Sequence, residues 1–186
     1  MPQANLLSPI HASIQVSWTQ AQAFERFTTK MATWWPLPSH SVGAEKAETV
    51  VMDPRVGGEI VERIRGGTES VWGSILEWDP PSHFTMAWHP GKEASTATRV
   101  TVRFVPDEGG TRVELTHTGW EALGSLATTA RRGYPMGWAY VLRLYAGRRA
   151  SPVVLAIGTL QWLLQPLARR MAHRAGPLVV RPRSVP

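Results

Sequence analysis

Six short segments of alternating polarity, joined by tight turns, are followed by one long amphipathic segment, and this order constrains the fold most. The alternation predicts strands, because successive side chains of a strand point to opposite faces of a sheet. The connections carry glycine pairs or prolines, which are typical of hairpins. The predicted strands cover residues 48–52, 57–64, 71–78, 84–88, 99–105 and 111–118.

A further strand and a short helix precede this series. Residues 10–16 alternate, and the apolar residues that follow have helical spacing. These helical positions are Ala21, Phe24, Phe27 and Met31. The helix is predicted to end near Trp34-Trp35-Pro36, because a proline disfavours helical geometry in the residue before it. Two adjacent tryptophans are costly to expose, so we expect them to close one end of a concave surface.

The long segment after the strands predicts an amphipathic helix over residues 132–148. Its apolar stripe consists of Tyr134, Trp138, Val141, Leu142 and Tyr145, and Gly147 suits its C-terminus. An antiparallel sheet with one apolar face must cover that face, and this helix is the long element available. A curved sheet around a helix often leaves space between the two, where small ligands bind.

The net charge of +6 comes entirely from the end of the chain. Residues 1–147 hold 13 basic and 14 acidic side chains, whereas residues 148–186 hold seven arginines and no acid. A nearly neutral body has no broad basic face, so nucleic-acid binding is not expected. The N-terminus lacks a basic segment followed by an apolar core, so no signal peptide is predicted and a cytoplasmic location is expected.

No residue pattern indicates a metal, redox cofactor or nucleotide. The chain has no cysteine, and its six histidines form neither H-x-H nor H-E-x-x-H. A G-x-S-x-G sequence is absent, and the glycine pairs lie at turns rather than before helices. We therefore expect no metal site and no cofactor.

Two sets of polar residues are candidates for chemistry. The alternation of the last strand places His117 on the apolar face with Val113 and Leu115. There a neutral imidazole could act as a general base, or it could be a structural residue whose hydrogen bonds are satisfied. Glu59 and Glu62 are three residues apart, so they point to opposite faces of their strand and at most one faces inward.

Residues 150–186 are predicted to be an apolar, arginine-rich extension with a helix over about 152–172, followed by a flexible end. The apolar run is short and too polar near its end for a membrane span, which needs about 20 apolar residues. Packing on the domain, self-association and contact with a membrane surface are the alternatives for residues 152–172.

The blocks F-T-T-K-M-A-T-W-W-P-L-P-S-H-S-V-G, D-P-R-V-G-G-E-I, W-G-S-I-L-E-W-D-P-P, G-G-T-R-V-E-L-T-H-T-G-W and R-R-G-Y-P-M-G-W occur in this order. They resemble the SRPBCC (START/Bet v 1-like) superfamily, in the branch of the activator of Hsp90 ATPase homologue C-terminal domain, over residues 8–149. The resemblance implies an α+β helix-grip fold, in which a seven-stranded curved antiparallel sheet wraps around a long C-terminal helix. It also implies two short helices near the first strand. Bacterial members of the branch mostly lack an assigned activity.

The function expected from pattern and resemblance together is binding of a small hydrophobic molecule, a lipid for example, between sheet and long helix. The predicted lining is Trp35, Trp72, Phe84, Met86, Trp88, Phe104, His117, Tyr134, Trp138 and Leu142. The alternatives are a cyclase or hydratase with His117 as catalytic base, and a chaperone-linked protein-interaction module. All three need the same scaffold, so the sequence leaves them open.

Overall fold

The computed structural model describes residues 7–148 and 178–183. The strands are β1 Ile10–Val16, β2 Ala47–Met52, β3 Glu59–Ile64, β4 Thr68–Asp79, β5 His83–Trp88, β6 Thr98–Asp107, β7 Gly110–Thr118 and β8 Arg181–Pro182. The α-helices are α1 Gln20–Phe27 and α2 Ala127–Tyr145. Short 3-10 turns cover Met31–Thr33, Ala44–Lys46, Ala94–Thr96 and Trp120–Leu126.

The first seven strands form one antiparallel sheet in the order β1-β7-β6-β5-β4-β3-β2. Each strand from β2 to β6 pairs with the next along the chain, while β1 pairs with β7 at the edge opposite β2. The sheet curls around α2 as a half-barrel. The predicted α+β helix-grip fold is therefore confirmed.

The inner face of the sheet follows the alternation in the sequence. In β6 and β7 the cross-strand pairs are Val100 with His117, Val102 with Leu115 and Phe104 with Val113. All six side chains are buried. Full burial of each large apolar side chain stabilises the fold by about 1.5–3 kcal/mol, so these rows form a main part of the core.

The first helix is short because both of its ends are fixed by local interactions. Thr19 caps the N-terminus, where its side chain accepts from Gln22 N and the Gln22 side chain accepts from Thr19 N. After Phe27 the chain turns, and Met31–Thr33 forms a single 3-10 turn where the resemblance implies a second short helix. This turn delivers Trp34 and Trp35 to the core, and both are buried as predicted.

Helix α2 begins at Ala127, five residues before the predicted start, and is preceded by the 3-10 turn Trp120–Leu126. Its C-terminal half packs on the sheet through Trp138, Val141, Leu142 and Tyr145. The Tyr145 hydroxyl donates to the carbonyl oxygen of Ala23 at 2.8 Å and so ties α2 to α1. Gly147 has a φ of 68°, the left-handed conformation that ends many helices.

The predicted helix over 152–172 lies outside the described residues. The sequence predicts a flexible end after it, whereas residues 178–183 lie against the sheet as β8, next to β4. Among the described residues, none of the helices has the length and hydropathy that a membrane span requires.

Candidate functional site

A cavity of about 170 Å³ lies between α2 and the inner face of the sheet. It is lined by Trp35, His40, Trp88, Pro90, Tyr134, Gly137, Trp138 and Val141. Six of these eight side chains are aromatic or aliphatic, and Gly137 contributes backbone alone. The cavity therefore has apolar walls and, in His40 and Tyr134, two polar side chains.

Three parts of the chain supply the walls. Tyr134, Gly137, Trp138 and Val141 share one face of α2, because residues three and four apart are neighbours on a helix. Trp88 and Pro90 mark the place where β5 ends and the chain turns away from the sheet. Residues 35–43, which we name the covering loop, follow the 3-10 turn and bring Trp35 and His40 over the cavity.

The covering loop is anchored by the buried carboxylate of Glu62 on β3. Glu62 accepts hydrogen bonds from Val42 N at 2.8 Å and Gly43 N at 2.7 Å. It also accepts one from Trp72 Nε1 at 2.7 Å. A carboxylate out of water needs such donors, and here they fix the end of the loop to the sheet. Of the two glutamates considered in β3, Glu62 faces inward, and Glu59 forms an ion pair with Arg181.

Trp35 and His40 are joined by a hydrogen bond within the covering loop. The Trp35 indole donates to the carbonyl oxygen of His40 at 2.7 Å. The His40 ring lies against Tyr140 of α2, with ring centroids 5.1 Å apart, and its Nδ1 is 2.9 Å from Ser39 Oγ. Burial lowers the pKa of His40, so its imidazole is neutral at physiological pH.

Tyr134 presents a hydroxyl at the cavity wall. Trp88 Nε1 donates to this oxygen at 3.2 Å, since an indole can only donate. Burial raises the pKa of Tyr134, and the hydrogen bond from Trp88 opposes that shift in part. The phenol therefore keeps its proton at neutral pH, and none of the hydrogen bonds in the described part of the chain uses it.

His117 lies behind the cavity, and both of its ring nitrogens take part in a chain of hydrogen bonds. Trp138 Nε1 donates to His117 Nδ1 at 3.0 Å, which assigns the ring proton to Nε2. That proton goes to Thr98 Oγ1 at 2.7 Å, and Thr98 Oγ1 donates to the carbonyl oxygen of Trp88 at 3.0 Å. Burial lowers the pKa of His117 to about 3. The imidazole is thus neutral, and both nitrogens are occupied.

The structure brings together four of the ten predicted lining residues at the cavity. These are Trp35, Trp88, Tyr134 and Trp138. His117 contacts two of them, with ring centroids 4.6 Å from Tyr134 and 5.9 Å from Trp138. The other five predicted residues are buried in the core and do not line this cavity. They are Trp72, Phe84, Met86, Phe104 and Leu142.

Sequence reasoning missed His40, Pro90, Gly137 and Val141 as lining residues. Val141 lies in the predicted apolar stripe of α2, so its inward orientation could have been found. Gly137 carries a weaker signal, because a glycine inside a helix costs stability and needs another reason to be there. His40 lies in a loop whose path depends on the distant Glu62, and its local sequence gives no comparable signal.

Few other polar clusters compete with this cavity. No group of three potential metal ligands occurs within residues 7–148 and 178–183. A larger cavity of about 460 Å³ lies beside β2 and β3, but its wall is mostly charged, with Asp53, Arg55, Glu59, Arg63, Glu69 and Arg181 among the lining residues. The cavity below α2 is therefore the candidate ligand site.

An antiparallel sheet curled around one long helix, with a cavity between them, defines a helix-grip protein. The model of the family described as Activator of Hsp90 ATPase homolog 1-like protein matches residues 16–143. The chain belongs to this family, which confirms the resemblance of its sequence blocks. No curated protein matches the chain.

Solved structures agree with this assignment. An anthrahydroquino-gamma-pyrone synthase, Txn09, solved in complex with a molecule designated SUM, is 32% identical, with a TM-score of 0.55. That match covers 78% of this chain and 99% of Txn09. The Aha1 dimer from Colwellia psychrerythraea is 18% identical, with a TM-score of 0.52, over 77% of this chain and 100% of the other. A protein from Mesorhizobium loti is 16% identical, with a TM-score of 0.55, over 75% and 95%.

Proposed function

We propose that this chain binds a small, flat, apolar molecule bearing a hydrogen-bond-accepting oxygen in the cavity below α2. The observation that carries the proposal is the pairing of an aromatic wall with one unused donor, the Tyr134 hydroxyl. Trp35, Trp88 and Trp138 supply the aromatic surface of the wall against which a flat ligand can pack. A hydrogen bond from the Tyr134 hydroxyl to the ligand's oxygen would orient the ligand, as the few polar groups of an apolar pocket commonly do.

The volume limits the ligand to about one ring with a small substituent. A dry apolar cavity of about 150 Å³ accommodates benzene, and drug-sized ligands occupy about 300–1,000 Å³. At about 170 Å³ the cavity is at the lower end of this scale. A larger ligand would extend out of the cavity or displace the covering loop, which with Pro90 forms the wall that is not part of the sheet or of α2.

Acetophenone and α-methylstyrene form a matched pair of probes for this proposal. They have nearly the same size and the same branched skeleton, but only acetophenone has a carbonyl oxygen. In calorimetric titrations we expect acetophenone to bind about tenfold more tightly, a difference worth about 1.4 kcal/mol. The Tyr134→Phe variant removes the hydroxyl and should lose the preference for acetophenone, whose carbonyl would then be buried without a donor.

Tyr140→Phe is the control for this titration. Tyr140 is also a half-buried tyrosine of α2, but it packs on His40 and does not line the cavity. It should keep the preference for acetophenone. The proposal fails if the wild-type protein binds neither probe, or if Tyr134→Phe keeps the full preference.

A ring-forming synthase is the second candidate function, and the relation to Txn09 favours it. Txn09 is named as an anthrahydroquino-gamma-pyrone synthase, and its identity with this chain is 32%. In the cyclase predicted from sequence His117 would be the base, but both of its nitrogens are occupied and its pKa is low. In this chain His40 and Tyr134 are the ionisable groups that reach the cavity. Loss of turnover in both His40→Ala and Tyr134→Phe, with probe binding retained in His40→Ala, would support this candidate.

The chaperone-linked interaction module remains a prediction, and a family name alone does not establish a partner. Self-association draws some support from the relative solved as a dimer. Sedimentation of the full chain distinguishes a monomer of 20.6 kDa from a dimer of twice that mass.

A further inference from the structure

Residues 178–183, which we name the strap, occupy a free length of β4. The β4–β5 ladder runs from Asp79 back to Gly73, and the last bond on that side joins His89 N to Trp72 O at 2.7 Å. The chain then turns away at Pro90, which leaves residues 68–71 without a neighbour from β5. The strap fills this place as β8, with Thr68 opposite Pro182 and Glu69 opposite Arg181.

Three glutamates on the sheet match the two arginines of the strap. Arg181 contacts Glu59 at 2.6 Å and the buried carboxylate of Glu69 at 3.9 Å. Arg183 contacts Glu48 at 2.5 Å. An unpaired sheet edge with such carboxylates beside it is a site for an extended segment that carries arginines two residues apart.

The strap also contacts both segments that border the cavity. Val179 N donates to the carbonyl oxygen of Gly91 at 3.1 Å, and Gly91 follows Pro90 of the cavity wall. Gly91 is packed between Leu178 and Val42. A Cβ atom at residue 91 would lie 3.1 Å from the Leu178 side chain and 2.9 Å from the Val42 side chain, so the space between them is filled. Val42 is the residue whose amide is held by Glu62 at the end of the covering loop.

We propose that the acidic edge formed by residues 67–70 with Glu48, Glu59 and Glu69 is a docking site for the strap, and that docking holds the covering loop closed over the cavity. The ion pairs are partly exposed, and such pairs are individually weak. The strap therefore detaches more readily than any strand of the main sheet, and each detachment removes the contacts of Leu178 and Val179 with Gly91, which packs on Val42. The part of this proposal that concerns ligand exchange rests on the proposed function of the cavity. The docking of the strap on the sheet does not depend on that function.

Amide hydrogen exchange of the full chain tests the docking without a ligand, because local opening sets the exchange rate. Arg183→Glu reverses one charge of the strap. We expect exchange at least threefold faster at Val179 and at Val42, with no change at Val102 in the centre of the sheet. The charge-swapped variant, Arg183→Glu with Glu48→Arg, should restore the wild-type rates at both amides.

Arg112→Glu is the control, since it disrupts an exposed ion-pair cluster with Asp107 and Glu114 far along the sheet. It should leave Val179 and Val42 unchanged. The proposal is overturned if Val42 keeps its wild-type rate while Val179 exchanges faster, if neither amide responds, or if the charge swap restores neither. A wild-type protein that fails to bind acetophenone would refute the proposed function and leave this exchange test intact.

Discussion

Replacement of Gly137 by alanine should make the protein more stable and its cavity less able to bind. Gly137 lies within α2 and lines the cavity. Alanine in a compatible helical position stabilises a protein by about 0.4–1 kcal/mol relative to glycine. A Cβ at residue 137 would have one neighbour within 4 Å, His40 Nε2 at 3.9 Å, which is an ordinary contact. Nothing in the folded protein therefore opposes this gain.

The same methyl group would occupy the ligand site. A methyl group has about the volume of one water molecule, ~30 Å³, so it takes about a sixth of the 170 Å³ cavity. Forcing a ring into a space reduced by one methyl group costs about 1–3 kcal/mol. The dissociation constant of acetophenone should therefore rise about 5- to 150-fold.

Gly133→Ala provides the matched control. Gly133 is also inside α2, and a Cβ there would have no heavy atom within 4 Å. Urea unfolding should show a similar gain in stability for both variants, while calorimetric titration should show weaker acetophenone binding for Gly137→Ala alone. Unchanged binding in Gly137→Ala would refute the reasoning, because the ligand would then not lie against this face of α2.

Two further predictions concern buried polar groups. The folded-state pKa of His117, about 3, lies below its unfolded value of 6.5, so the unfolded chain binds more protons between these values and stability falls as pH falls. Between pH 7 and pH 5, urea unfolding should show a loss about 2 kcal/mol larger in the wild-type protein than in His117→Gln, and equal losses would contradict this. Glu62→Gln should lower the unfolding free energy by about 2–3 kcal/mol, because the amide cannot accept from Val42, Gly43 and Trp72 together. Glu59→Gln, at a partly exposed ion pair, should lower it by less than about 1 kcal/mol, and equal losses in the two variants would show that the Glu62 carboxylate is not the anchor.

The fold could be predicted because its signals are local. Alternation identified seven strands, and helical spacing identified the apolar stripe of α2 from Trp138 to Tyr145. The early start of α2 was missed because residues 127–131 carry no apolar stripe of their own, and the turn Trp120–Leu126 orients them.

Of the candidate cavity, the sequence predicted four lining residues, because alternation gives the face of a residue and not the space in front of it. Phe84 and Phe104 point inward as predicted, but α1 fills the space there, with Phe24 5.2 Å from Phe104 between ring centroids. Trp88 also points inward and meets open space beside Gly137, which lacks a side chain, and the covering loop forms the opposite wall of that space through Trp35 and His40. That arrangement depends on Glu62 and the strap, which are distant in sequence from α2.

Intermolecular nuclear Overhauser effects between acetophenone and the protein test the central claim most directly. Binding in the cavity predicts contacts from the probe to the ring protons of Trp35, Trp138 and Tyr134. Contacts confined to the outer face of the sheet, around Val51 and Val61, would contradict it, as would the absence of saturable binding.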